Sequence, residues 1–160
     1  MVQNSKNLLI KLIFLISIIA LASAFFIEYI LGHQPCNLCI LERIPYILAI
    51  IIILFNYKFS HLEKHFILLL TIIFLVATIL SLYHLGIEQG FIQESVVCDL
   101  KSGSNLLTKE EILKQLQEKN ISCKDVTFAI FGLSLTSYNI FVSLLITITT
   151  AKIYFNYDKN

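Results

Sequence analysis

Four long apolar runs free of charged residues dominate the pattern along the chain. They extend from Leu12 to Ile27, Ile44 to Tyr57, Phe66 to Ile87 and Val126 to Ala151. A helix needs about 20 mostly apolar residues to cross a hydrocarbon core of about 30 Å. The third and fourth runs meet that length alone. The first meets it when residues 8–31 are counted and Lys11 snorkels to the interface. The second spans only if the residues before it, including Cys39 to Arg43, sit at or just inside the interface. Pro45 falls near the start of that helix, where a missing backbone donor is best tolerated. The expected fold class is all-α: one integral membrane domain over residues 1–160, a bundle of four transmembrane helices. The expected spans are 8–31, 40–57, 66–87 and 126–151, with outer loops at 32–39 and 88–125.

Composition agrees. Of 160 residues, 57% are hydrophobic and 14% charged. Soluble domains average about 45–50% and about 25%. These values exclude disorder, a collagen-like repeat and a soluble coiled coil. Lys+Arg 12 against Asp+Glu 11 leaves no basic excess, so no nucleic-acid partner is expected. The N-terminus also has a signal-peptide reading, with Lys6 and Lys11 before an apolar stretch and Ala22-Ser23-Ala24 as a small-residue cleavage site. The run continues through Phe25-Phe26-Ile27, which favours an uncleaved first span.

Four spans put both termini on one side. That side carries Lys6, Lys11, Lys58, Lys64, Lys152 and Lys159. The short loop Glu28 to Arg43 opposite holds one basic residue, Arg43. The positive-inside rule then places the termini in the cytoplasm and both cysteine-bearing loops outside.

All four cysteines fall on the outer side. Cys36 and Cys39 form a C-x-x-C just before the second span, and Cys98 and Cys123 lie in the long loop. An even number of thiols on an oxidising face suggests disulfides. C-x-x-C pairs are often catalytic because their behaviour is set by thiolate stabilisation. Closing the Cys98–Cys123 loop would remove roughly 3 kcal/mol of unfolded-chain entropy, so by itself that pair reads as a structural staple. A structural zinc site needs four converging ligands, usually in close pairs. Only one pair is close, and no metal site is expected. Arg43, four residues after Cys39, shares its face if the helix begins near Cys39. There it either lowers a thiolate pKa or merely anchors at the interface, paired with Glu42. Between the loop cysteines, Thr108 and Glu111 form a capping-box pattern ahead of a stripe of Ile112, Leu113 and Leu116. A short amphipathic helix on the membrane surface is expected there.

These residues together resemble the disulfide bond formation protein B (DsbB) family, bacterial membrane enzymes that reoxidise a thiol-oxidising partner with quinone. The matching elements are Cys36-x-x-Cys39 with Ile40-x-Glu42-Arg43, and Tyr83-His84-x-Gly86-x-Glu88-x-Gly90 closing the third span. Cys98-Asp99, Cys123, and Phe131-Gly132-Leu133-Ser134 followed by Asn139 complete them. The chain departs from relatives that carry Met-Pro and Trp before that Asn; here Leu135, Thr136, Ser137 and Tyr138 stand, and tryptophan is absent.

The resemblance implies an enzyme of the inner membrane, a protein-dithiol:quinone oxidoreductase that sustains disulfide formation in exported proteins. Its implied partner is a DsbA-like thioredoxin-fold oxidase, and its implied cofactor is ubiquinone or menaquinone. It assigns Cys98 to attack by the partner and Cys123 as leaving group. Cys36 takes the exchange with the loop pair and Cys39 the quinone contact. Arg43 and His84 become candidate quinone-binding residues, with His84 otherwise an interfacial histidine bonded to water or backbone. Glu42 either holds Arg43 or faces water. His33 is a weaker candidate. On this reading a wet loop pair is separate from an interfacial pair, and loop motion connects them. Two competing functions stand beside it: a non-enzymatic membrane protein with two structural disulfides, and a vitamin K epoxide reductase-like enzyme, whose motif is expected near a later helix.

Overall fold

The computed structural model describes residues 2–93, Cys98, 122–124, 129–130 and 132–157. The amphipathic segment expected over 106–116 lies outside them. In order, the elements are α1 (Val2–Tyr29), α2 (Asn37–Leu41), α3 (Ile44–Lys58), a 3-10 turn (Ser60–Leu62) and α4 (Glu63–Glu88). A short antiparallel ladder of β1 (Ala129–Ile130) and β2 (Leu133–Ser134) precedes α5 (Leu135–Phe155). Among the described residues, four helical segments are long and apolar enough to cross a membrane: Lys6–Tyr29, Asn37–Lys58, Glu63–Glu88 and Leu135–Phe155.

Two of these differ from the charge-free runs. The second begins at Asn37, so Cys39 lies inside its first turns and supplies the missing length. Its helix is interrupted at Glu42–Arg43, and Pro45 explains where: the ring has no N–H and clashes with the carbonyl four residues back, that of Leu41, where α2 ends. The fourth helix begins at Leu135, nine residues after the apolar run starts at Val126. Ala129 pairs with Ser134 and Ile130 with Leu133. Gly132 supplies the left-handed φ of +81° at their turn. Ser134 then caps α5 by accepting from the Ser137 N–H. Absence of charge reports apolarity, and a hairpin built of apolar residues looks the same as a helix by that measure.

The inner seam packs Ile10 and Ile13 of α1, Tyr46, Ala49 and Ile53 of α3, and Phe74 and Ala77 of α4. The outward surface is apolar, as a lipid-facing surface requires, with Leu15, Ile79, Leu145 and Phe141 all exposed. Lipid removes most of the hydrophobic drive for helix association, leaving close packing and hydrogen bonds. The α4–α5 seam, the most extensive among the described residues, is built accordingly. Thr78 donates to the Phe74 carbonyl at 2.8 Å and lies 3.1 Å from Ser143 Oγ across the seam. Thr147 and Thr150 bond back to the Ser143 and Ile146 carbonyls. Small hydroxyl side chains thus satisfy themselves within each helix and let the backbones approach. At the bundle end that carries the termini, Lys6 meets Glu63 at 3.4 Å and stands over the Tyr157 ring. The cysteines occupy the opposite end.

Candidate active site

The C-x-x-C is presented by a chain turn. After α1 the backbone reverses through Gly32, at φ +74°, and reaches Pro35, which leads into the α2 cap. Cys36 is that cap: its sulfur accepts from the Cys39 N–H at 3.3 Å. The two sulfurs lie 2.8 Å apart as free thiols. Cys36 is buried, whereas Cys39 is half-buried. The Cys39 hydrogen bond lowers the Cys36 thiol from 9.0 to about 5, against the opposing effect of burial and with further help from the His84 hydrogen bond and field.

His84, from α4, is 1% exposed. Its Nε2 lies 3.5 Å from Cys36 Sγ, and its Nδ1 2.9 Å from Glu42 Oε1. Glu42 is buried too, and its second oxygen accepts from Asn139 Nδ2 at 2.9 Å. Asn139 also donates to Ser81 at 2.8 Å and accepts from the Tyr46 hydroxyl. A continuous polar chain therefore runs Tyr46–Asn139–Glu42–His84–Cys36. Near the same nitrogen that faces Cys36, Glu88 accepts from Ser134 and Thr136, each at 2.6 Å, and lies 3.8 Å from Nε2. Every polar member sits in apolar surroundings and has partners, so the network fixes one arrangement of the three helices that supply it.

Arg43 is turned the other way. It pairs with Glu28 at the end of α1 and stands 5.2 Å from the centre of the Phe25 ring. Arg43, Cys39, Glu42, Tyr46 and Asn139 line one side of a cavity of about 260 Å³ between α1, α3 and α5. Ala20, Leu21, Ala24, Ile27 and Val142 give it apolar walls, and His33 and Pro35 close its outer edge.

Cys98 and Cys123 form a disulfide, with Cα atoms 5.9 Å apart. Cys123 is buried and Cys98 half-buried. Both pack in one apolar cluster with Cys36, Cys39, Leu38 and Ile87. The Asn37 side chain donates to the Cys98 carbonyl at 3.0 Å and ties the loop to the motif.

The family model for disulfide bond formation protein DsbB matches residues 6–153. The chain belongs to the DsbB family. An uncharacterized protein of Rickettsia prowazekii (strain Madrid E) is 35% identical over 147 residues, covering 91% of this chain and 85% of that protein. No solved structure is significantly similar to the chain. This DsbB-family chain is thus a multi-pass membrane protein of disulfide bond formation, with the thiol oxidoreductase role of its family.

Placed in three dimensions, the residues singled out by the sequence of this DsbB-family member converge on one end of the bundle, with differences in detail. The loop disulfide packs against the C-x-x-C instead of standing apart in water. Glu42 neither holds Arg43 nor faces water; it holds His84, and Glu28 holds Arg43. Arg43 and Cys39 line the same cavity, and Glu28 holds the guanidinium there. Among the described residues, the ring closest to the motif sulfurs is His84, and it stands behind the cavity wall, not on it. Sequence reasoning missed Glu28, Tyr46 and Ser81. Glu28 could have been flagged as a charge at a span end facing one lone arginine. Tyr46 and Ser81 gave no signal beyond being polar groups within apolar runs.

Proposed function

We propose that the chain reoxidises a DsbA-like thioredoxin-fold dithiol oxidase and delivers the electrons to a membrane quinone, with termini in the cytoplasm and the cysteines on the outer face of the inner membrane. The observation that carries the reading is the position of Cys39. It lines an apolar cavity that has one guanidinium corner, while its partner Cys36 packs against the loop disulfide. The lining suits a quinone head: the Arg43 guanidinium, which has N–H groups beyond the one given to Glu28, would hold an oxygen, and Ala20, Leu21, Ala24 and Val142 would receive the ring and an apolar tail. A quinone bound there supplies a two-electron acceptor that also takes up two protons.

The protein's own part is thiol exchange. A partner thiolate attacks Cys98, the more exposed sulfur of the loop pair, and Cys123 leaves as thiolate. The partner's second thiol then displaces Cys98, which closes the partner's disulfide and leaves the loop pair reduced. Cys123 attacks Cys36 of the oxidised motif, and Cys39 leaves toward the cavity. Attack of Cys98 on Cys123 restores the loop disulfide and releases Cys36 as thiolate. Exchange requires good leaving thiols, and the stabilised Cys36 thiolate is one. His84 holds that charge from one side, and Glu42 fixes the ring. The packing of Cys123 in the Cys36 cluster shortens the path that the loop must travel.

The test is quinone reduction by the purified chain with a reduced thioredoxin-fold oxidase, followed by quinone absorbance. Turnover lost in Cys39→Ser and in Cys98→Ser is the expected result. Turnover that survives Cys98→Ser would overturn the partner entry. No turnover with any of several quinones would favour two structural disulfides.

A further inference from the structure

We propose that the reduced C-x-x-C and His84 form a binding site for a thiophilic divalent cation, zinc(II), which locks the dithiol in its reduced state. The two sulfurs and a ring nitrogen of His84 all lie within 4.8 Å of one another. His84 Nε2 already stands 3.5 Å from Cys36 Sγ, the edge length of a tetrahedron with metal–sulfur bonds of about 2.3 Å and metal–nitrogen bonds of about 2.0 Å. The sulfurs, at 2.8 Å, must part to about 3.7 Å to share an ion. Cys39 is half-buried against the cavity and is the side chain with room to turn.

The surroundings of the ring point the same way. Ligating histidines usually give their other N–H to a carboxylate, which fixes the tautomer and raises ligand basicity. Here Nδ1 lies 2.9 Å from Glu42, and Glu42 is itself held by Asn139. Nε2 is then the ring nitrogen that faces the sulfurs, with Glu88 3.8 Å away, and it gives up any proton it carries when a cation binds. The fourth position opens toward the cavity through Cys39, where a water completes the shell. No electrons move: the cation takes two thiolates and one neutral imidazole, and the thiol protons still present, with any proton on Nε2, leave to solvent. With both sulfurs bound, the dithiol cannot close a disulfide, so zinc stops the enzyme in the reduced state and leaves the oxidised state untouched. In sequence His84 is far from Cys36 and Cys39, which is why spacing alone gives no ligand set. The proposal needs only the reduced motif and stands independently of the quinone reading.

The experiment uses the full chain carrying Cys98→Ser and Cys123→Ser, reduced, in detergent, with cobalt(II) as the optical probe and zinc(II) as competitor. Expected is a thiolate-to-cobalt charge-transfer band that saturates at a single ion per chain. Zinc should abolish it, and so should oxidation of the motif. His84→Gln and Cys36→Ser should each weaken cobalt binding at least tenfold and alter the visible bands. Glu42→Gln should weaken it about 10- to 100-fold through the ring. Zinc should also protect Cys36 and Cys39 from alkylation without any change at His84, a readout that holds even if the His84 variant misfolds. Absence of the charge-transfer band, absence of protection, or undiminished cobalt affinity in folded His84→Gln would overturn the site.

Discussion

The lowered Cys36 thiol has a direct consequence for driving force. Stabilising the thiolate stabilises the reduced motif and makes its disulfide a stronger oxidant. A thiol at about 5 instead of 9.0 is favoured at pH 7 by about two orders of magnitude, or about 3 kcal/mol. For a two-electron couple that is about 60 mV toward oxidising. The sign is fixed by the direction of the shift. The advantage is full above pH 9, shrinks as pH falls, and is gone below pH 5. Between those limits one proton accompanies the two electrons instead of two, because one sulfur of the pair is already a thiolate and the remaining proton lies between the two sulfurs. The midpoint should therefore change by about 30 mV per pH unit, against about 59 mV when two protons travel. The assay is equilibration of the full chain, with Cys98→Ser and Cys123→Ser, in dithiol–disulfide buffers from about pH 5.5 to 8. Acid trapping, alkylation and mass measurement then give the oxidised fraction. A slope of about 59 mV throughout would refute a Cys36 thiolate in the folded chain. In His84→Gln the break should move upward. The loss at pH 7 should stay below the 100-fold bound, because the Cys39 hydrogen bond remains.

Other substitutions test the rest of the site. Glu28→Gln removes the carboxylate that aims Arg43, so the KM for quinone should rise while kcat changes little, read by steady-state quinone reduction. Asn139→Leu strands Glu42, Ser81 and Tyr46 together and should destabilise the bundle by about 2–4 kcal/mol, seen as a lower thermal midpoint in detergent. Ser134→Ala removes both the α5 cap and one donor to Glu88 and should cost about 1–2 kcal/mol in the same measurement.

The residues show where sequence reading succeeds in a membrane chain and where it stops. Four apolar runs and the four cysteines were legible because membrane crossing and thiol chemistry each demand residue types that stand out from their surroundings. The motif residues Glu42, Arg43, His84 and Asn139 were visible as polar groups in apolar context, but not their pairing. Choosing between Glu28 and Glu42 as the partner of Arg43 requires the relative rotation of α1 and α3, and no single-chain pattern encodes it. The start of α5 was misplaced because the hairpin from Ala129 to Ser134 carries no charge. Its Gly132 and the Ser134 cap were the local signals that marked it.

The Glu42–Arg43 pair connects these particulars. Both residues keep helical φ and ψ, and successive residues of a helix point about 100° apart around the axis and do not face each other. Each side chain is therefore free to find its partner on a different helix. Glu42 turns into the bundle and orients His84 against Cys36; Arg43 turns toward α1 and the cavity. One neighbouring acid–base pair is thereby divided between two tasks. The acid works through a histidine on the sulfur that must leave as thiolate. The base faces the space beside the other sulfur, where negative charge would arrive on an oxygen.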